Sequence, residues 1–227
     1  MKKYIPNTIT CCNLISGCIA TYFAFLGDFE MALLFIIIGA VFDFFDGMSA
    51  RLIGVSSPIG KELDSLADDI TFGFAPSAIV FEYLRPETEL LPFLVFVMAA
   101  FSALRLAKFN LDERQALGFI GLPTPANALF WGALIAGAGE WMKTAPFIGQ
   151  NLSLVILAGV FISCYLLIAE IPMFALKFKH WGWSGNEVKY IFVLSCIPLL
   201  LIMGVSGFAA IIAWYVLLSV ITNKSNK

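Results

Sequence analysis

Eight apolar runs of about 14 to 26 residues constrain this chain more than any other feature, because stretches of that length can satisfy their backbone in a bilayer only as helices. They lie near 8–27, 31–52, 62–83, 90–110, 122–139, 151–176, 190–203 and 207–222. The 227 residues are 60% hydrophobic and 13% charged, with mean hydropathy +0.89, which excludes a soluble domain of ordinary composition. The polar breaks at 111–121, 140–150 and 177–189 are too short to house a second domain. The expectation is one all-α domain over residues 1–227, a polytopic transmembrane helix bundle of about eight spans. Its last two runs require a tight uncharged turn between Gly204 and Gly207. Met1-Lys2-Lys3 resembles the opening of a signal peptide, but the run from Thr8 has no clear small-residue cleavage site and reads as a retained first span.

Lysine and arginine placement predicts the orientation, because positive charge is retained on the cytoplasmic side. An inside N-terminus puts Lys2, Lys3, Arg51, Lys61, Arg105, Lys108, Arg114, Lys177, Lys179, Lys189, Lys224 and Lys227 in the cytoplasm. Only Arg85 and Lys143 of the 14 basic residues then fall outside. The split supports this orientation and an even number of spans. Net charge is −2, and no nucleic-acid partner is expected. The 5 cysteines, Cys11, Cys12, Cys18, Cys164 and Cys196, lie within spans without metal-ligand or disulfide spacing and read as small packing residues. His180 falls in a loop and is given no chemical role. The absence of a convincing internal repeat argues against an inverted-repeat transporter.

Within this apolar text Val41 to Gly73 sets four acids at helical spacing. Asp43 and Asp46 are three apart and Asp64 and Asp68 four apart, so each pair can converge on one point. Gly54, Ser56, Ser57, Pro58 and Gly60 supply the turn between the two helices. A single charge at the bilayer centre costs about 2.5 to 3.5 kcal/mol on insertion scales, so four carboxylates demand cations among them. Oxygen donors without Cys or His point to Mg²⁺ or Mn²⁺, with Ca²⁺ also compatible, and two divalent ions balance four charges. Asp69 lies about 100° around the helix from Asp68 and reads as a solvated or paired neighbour. Gly47 leaves room for a ligand to approach the backbone, Ala50 is small for the same reason, and Arg51 can pair with a phosphate.

Asp43, Asp46, Gly47, Ala50, Arg51, Gly60, Asp64 and Asp68 match the pattern D-x2-D-G-x2-A-R-x8-G-x3-D-x3-D without departure. On those residues the chain resembles the CDP-alcohol phosphotransferase family. With ELDSLAD, TFG, RLAKFN and GLPTPAN, it is most similar to the bacterial membrane-embedded phosphatidylserine synthases. The resemblance implies the family's helical fold and transfer of a phosphatidyl group from CDP-diacylglycerol to the hydroxyl of L-serine, releasing CMP. It implies Asp43, Asp46, Asp64 and Asp68 as ligands of two divalent cations, and Asp68 as general base. Asn7, Asp43, Gly47, Ala50, Arg51, Gly60 and Asp64 would then bind the nucleotide and CDP-lipid. A homodimer is also implied, with the active site on the cytoplasmic side.

Arg105 and Lys108 stand three apart at the cytoplasmic end of the fourth span, followed by Asn110; they are candidates for binding the acceptor or the lipid pyrophosphate. Thr8, Thr10 and Asn13 read as capping and polar groups opening the first span. Gly121 to Asn127 reads as a hinge at the start of the fifth, with Asn127 offered for substrate contact. Glycerol 3-phosphate or inositol phosphate would be rival acceptors, each calling for a denser basic pocket. A cation transporter is the rival from another class, and would spread its acids over several spans and depths.

Overall fold

The computed structural model describes residues 4–55, 57–112, 119–174, 182–183 and 186–225. Lys2, Lys3, Ser56, Arg114, Lys177, Lys179, His180 and Lys227 lie outside the described residues. Helix α1 (Tyr4–Phe25) turns at Gly27 into α2 (Phe29–Ile53), whose first turn is capped by the Asp28 carboxylate accepting from the Met31 amide. Helix α3 (Pro58–Asp68) runs through a π turn (Asp69–Phe74) into α4 (Ala75–Leu84). A 3₁₀ turn (Leu91–Phe96) opens α5 (Val97–Leu111). Then come α6 (Thr124–Thr144), the short α7 (Pro146–Gln150), α8 (Leu152–Ile168), α9 (Glu187–Met203) and α10 (Gly207–Ser225).

Each of the eight apolar runs contains a helix among its described residues. Among the described residues, 4–25, 29–53, 91–111 and 187–222 are long and apolar enough to cross a bilayer, with Leu152–Ile168 a shorter apolar helix. The stretch 187–222 is broken by a 3₁₀ turn at Gly204–Ser206, after which α10 folds back on α9. Several boundaries differ from expectation for local reasons. The span expected from 62 starts at Pro58, because the Ser57 hydroxyl accepts from the Gly60 amide and Pro58 occupies the first turn. The span expected to close at 139 continues to Thr144, carrying Glu140 and Lys143 as an ion pair.

The span expected to reach 176 ends at Ile168. The chain there becomes extended, and β2 (Pro172–Met173) pairs antiparallel with β1 (Phe119–Ile120). Gly121 next to β1 has φ +77°, and a Cβ there would sit 2.9 to 3.2 Å from the carbonyl oxygens of Leu167, Ala169 and Leu166. This segment also donates the Leu122 amide to Leu166 O, so it closes the C-terminal end of α8.

Helix α6 lies at the middle of the bundle, packed against α2, α4, α8, α10 and the π turn. Its Trp131 is buried and donates to Ser163 Oγ on α8 at 3.0 Å. Around it Ile36, Phe72, Ile79, Tyr83 and Val160 form the main core. The crossing of α1, α2 and the π turn is closer still. Thr71 sits between Gly17 and Gly39, and its hydroxyl donates to Asn13 O at 3.0 Å. A Cβ on Gly17 would lie 2.7 Å from Thr71 Cα, so only glycine permits this approach.

Candidate functional site

The four motif acids reach the site from two helices. Asp43 and Asp46 lie near the C-terminal end of α2, and Asp64 and Asp68 on the last two turns of α3. One oxygen each from Asp43, Asp64 and Asp68 lies within 4.8 Å of the others. The convergence is thus across helices, one acid from the first pair with both from the second. Asp46 stands beside this trio, close enough for its charge to act on all three. Two unit charges 4.8 Å apart repel by about 3 to 4 kcal/mol at an effective dielectric near 20. Summed over the trio, that rivals the whole stability of a typical domain. Among the described residues no ion pair with Lys or Arg offsets these charges. Asp64 Oδ1 is enclosed without a hydrogen-bond partner. The oxygen-only donor set and its excess of negative charge therefore fit hard divalent cations.

Helix α1 orients the acids, a role its sequence did not reveal. Thr10 Oγ1 donates to Asp46 Oδ2 at 2.6 Å, and Asn13 Nδ2 donates to Asp68 Oδ1 at 2.9 Å. Both donors are buried, and they stand one turn apart on the same face. Of the capping and polar groups expected at the opening of the first span, Thr10 and Asn13 are thus polar groups that each hold one carboxylate in place. The signal available in the sequence was the three-residue spacing of two polar residues inside an apolar run.

A cavity of about 790 Å³ opens beside the acids, with Asp46 and Asp64 in its wall. Asn7, Gly47, Ala50 and Gly60 line it as well. A Cβ on Gly47 would meet nothing nearer than Arg51 Nη2 at 3.9 Å, so no neighbouring helix explains that glycine. Gly60 differs, because its Cβ would lie 3.0 Å from both Asn7 Oδ1 and Ser57 Oγ, and its absence lets α1 approach the start of α3. Arg51 is exposed, and its Nε donates to Gly47 O at 3.0 Å. Asp43 and Arg51 are not part of the cavity wall.

The three acceptor candidates separate. Arg105 is only 6% exposed and interacts electrostatically with Asp68, whereas Lys108 is exposed. The two keep their three-residue spacing on α5, but packing covers Arg105 and leaves Lys108 exposed. Asn110 braces α5 against α3, its amide donating to Ser65 Oγ at 2.8 Å and its carbonyl accepting from Lys61 Nζ at 2.7 Å. Asp69 is neither solvated nor paired at Oδ1, which is enclosed without a partner at the start of the π turn. That turn was invisible in the sequence pattern; such single-turn insertions are frequent at functional sites.

A family model described as CDP-alcohol phosphatidyltransferase matches residues 3–162. The CDP-diacylglycerol--serine O-phosphatidyltransferase of Bacillus subtilis (strain 168) is 41% identical over 126 residues, 54% of this chain and 70% of that protein. The protein of the same name from Methanocaldococcus jannaschii is 32% identical over 205 residues, 90% of this chain and 86% of its own length. That from Helicobacter pylori (strain ATCC 700392 / 26695) is 28% identical over 233 residues, covering 97% and 95%.

Proposed function

Because the chain belongs to the CDP-alcohol phosphatidyltransferase family, we propose that it transfers a phosphatidyl group from CDP-diacylglycerol to the hydroxyl of L-serine, giving phosphatidylserine and CMP. The observation that carries this reading is the meeting of Asp43, Asp64 and Asp68 beside a nucleotide-sized cavity and a buried Arg105. Relatives over nearly the whole chain are named for the serine reaction.

Asn7, Gly47, Ala50 and Gly60 form the wall against which the cytidine nucleotide lies, and the exposed Arg51, whose guanidinium lies near Gly47, meets a phosphate. Asp43, Asp46, Asp64 and Asp68 would hold two divalent cations, Mg²⁺ or Mn²⁺, which supply charge stabilisation at the pyrophosphate. Asp68, held by Asn13, takes the proton of the serine hydroxyl as its oxygen bonds to the lipid-side phosphorus. The bond from that phosphorus to the bridging pyrophosphate oxygen breaks, and CMP leaves with its electron pair. Arg105 holds the serine carboxylate, and positioning of this kind lowers the barrier by several kcal/mol. Lys108, exposed, guides anionic substrate without entering the site.

The test is an acceptor panel with labelled CDP-diacylglycerol. Serine should release CMP, whereas glycerol 3-phosphate and inositol phosphate should not; release with either phosphate ester and none with serine overturns the reading.

The same proposal has the protein in the bacterial inner membrane as a homodimer, as the family resemblance implies, with the acids facing the cytoplasm, an orientation supported by the 12 to 2 distribution of the 14 basic residues. Cysteines introduced at 53–60 should label from the cytoplasmic side and those at 85–89 from outside. Labelling of 53–60 from outside would reverse the orientation and the source of the nucleotide.

A further inference from the structure

Outside the motif the structure holds further buried polar side chains, one of which, Arg105, interacts electrostatically with Asp68. Ser102, Arg105, Thr124 and Asn127 are each more than nine-tenths buried. Ser102 Oγ, Arg105 Nε, Thr124 Oγ1, both amide atoms of Asn127 and Asp69 Oδ1 have no hydrogen-bond partner among the described residues. Buried polar atoms are ordinarily satisfied, so several unsatisfied ones in one region mark a place built to meet a polar ligand.

Their placement is shared. Gly73 lacks the Cβ that would lie 2.6 Å from Asp69 Oδ1 and 3.0 Å from Ser102 Cβ, so the π turn and α5 close on each other there. Arg105 follows Ser102 by one turn and interacts electrostatically with Asp68 and with Tyr215 of α10. Thr124 and Asn127 lie on the face of α6 that carries Trp131, whose indole reaches α8, and α8 packs on α5. Helix α6 also packs on the π turn and on α10.

Resting on the serine-transfer reading, we infer that Asp69, Ser102, Arg105, Thr124 and Asn127 form an acceptor pocket matched to a zwitterion, with Arg105 taking the carboxylate and Asp69 the ammonium. The neutral groups complete the hydrogen bonds of both ends, which places the acceptor hydroxyl toward Asp68. Charge selects the ligand class. Among the described residues the pocket holds one cation and one acid besides the motif carboxylates, so an amino acid of zero net charge leaves it balanced. A phosphate ester brings about 1.5 to 2 negative charges against the same single guanidinium, and faces Asp69 as well.

The test is steady-state kinetics of the purified protein with CDP-diacylglycerol in mixed micelles. Asp69→Asn and Arg105→Gln should each raise the KM for serine by about tenfold or more, the effect of losing a charged hydrogen bond, with the KM for CDP-diacylglycerol within about twofold. Ethanolamine, which lacks the carboxylate, should be used equally by wild type and Arg105→Gln. Glycerate, which lacks the ammonium, should gain on serine in Asp69→Asn. Ser102→Ala, a small uncharged change, should raise the serine KM about threefold, and keeps the test open if Arg105→Gln fails to accumulate. Wild-type serine KM in both Asp69→Asn and Ser102→Ala overturns the pocket, while serine-dependent CMP release by wild type leaves the reaction standing. No serine use by wild type sinks both.

Discussion

Asp68→Asn is expected to lower CMP release by about 10²- to 10⁴-fold, the range for loss of a general base, with membrane insertion unchanged. Asp43→Asn, Asp46→Asn and Asp64→Asn should each lose most activity too, since each removes one charge from a set that balances two divalent cations. A chelator should reproduce the effect on wild type, and Mg²⁺ or Mn²⁺ should reverse it. Repulsion supplies a control for misfolding. The trio of oxygens within 4.8 Å is destabilising when no cation is bound, so these variants should melt higher than wild type in chelator. Asn13→Ala and Thr10→Val should cost about 10- to 100-fold and raise the metal concentration needed for half activation, as expected of groups that orient ligands. Wild-type CMP release by any two of the aspartate variants would contradict the two-cation assignment.

The second large effect contrasts two glycines that the sequence presents alike. At Gly47 a side chain has open space, with Arg51 Nη2 the nearest atom at 3.9 Å, and it would project into the cavity. Gly47→Leu should therefore fold with wild-type thermal stability, because replacing a mid-helix glycine gains up to about 1 kcal/mol in propensity. It should nevertheless lose at least about tenfold in the KM for CDP-diacylglycerol, the equivalent of about 1.4 kcal/mol of binding. At Gly17 the added Cβ would lie 2.7 Å from Thr71 Cα, where backbone leaves nothing flexible to yield. Gly17→Leu should be destabilised by about 1 to 3 kcal/mol or more, read as a lower melting temperature in detergent. Equal destabilisation of the two variants would mean that Gly47 serves helix packing and not the nucleotide.

The helices and the metal-fitting acids were legible because both rest on local rules, namely the length of apolar runs and acids recurring at helical spacing. Gly47 was read as making room for a ligand, and its open surroundings agree with that reading. What escaped the sequence depends on contacts between distant segments. The end of α8 at Ile168 follows from pairing with Phe119–Ile120 almost 50 residues away, which the apolar text running to 176 conceals. Thr10 and Asn13 read only as capping and polar groups at the opening of a span until α2 and α3 bring Asp46 and Asp68 against them. The π turn that begins at Asp69 adds a residue without changing composition, so the apolar pattern across Asp69–Phe74 conceals it. Arg105 and Lys108 obey the same three-residue rule as Asp43 and Asp46. Yet one is buried and the other exposed, because the rule fixes a face of α5 and only packing decides how much of that face is covered.

The most direct measurement follows labelled serine into chloroform-soluble lipid, using the purified protein with CDP-diacylglycerol and Mg²⁺ or Mn²⁺. One serine should enter lipid for each CMP released, and Asp68→Asn should lower both together and to the same degree. CMP release that proceeds with glycerol 3-phosphate while no serine enters lipid would contradict the account.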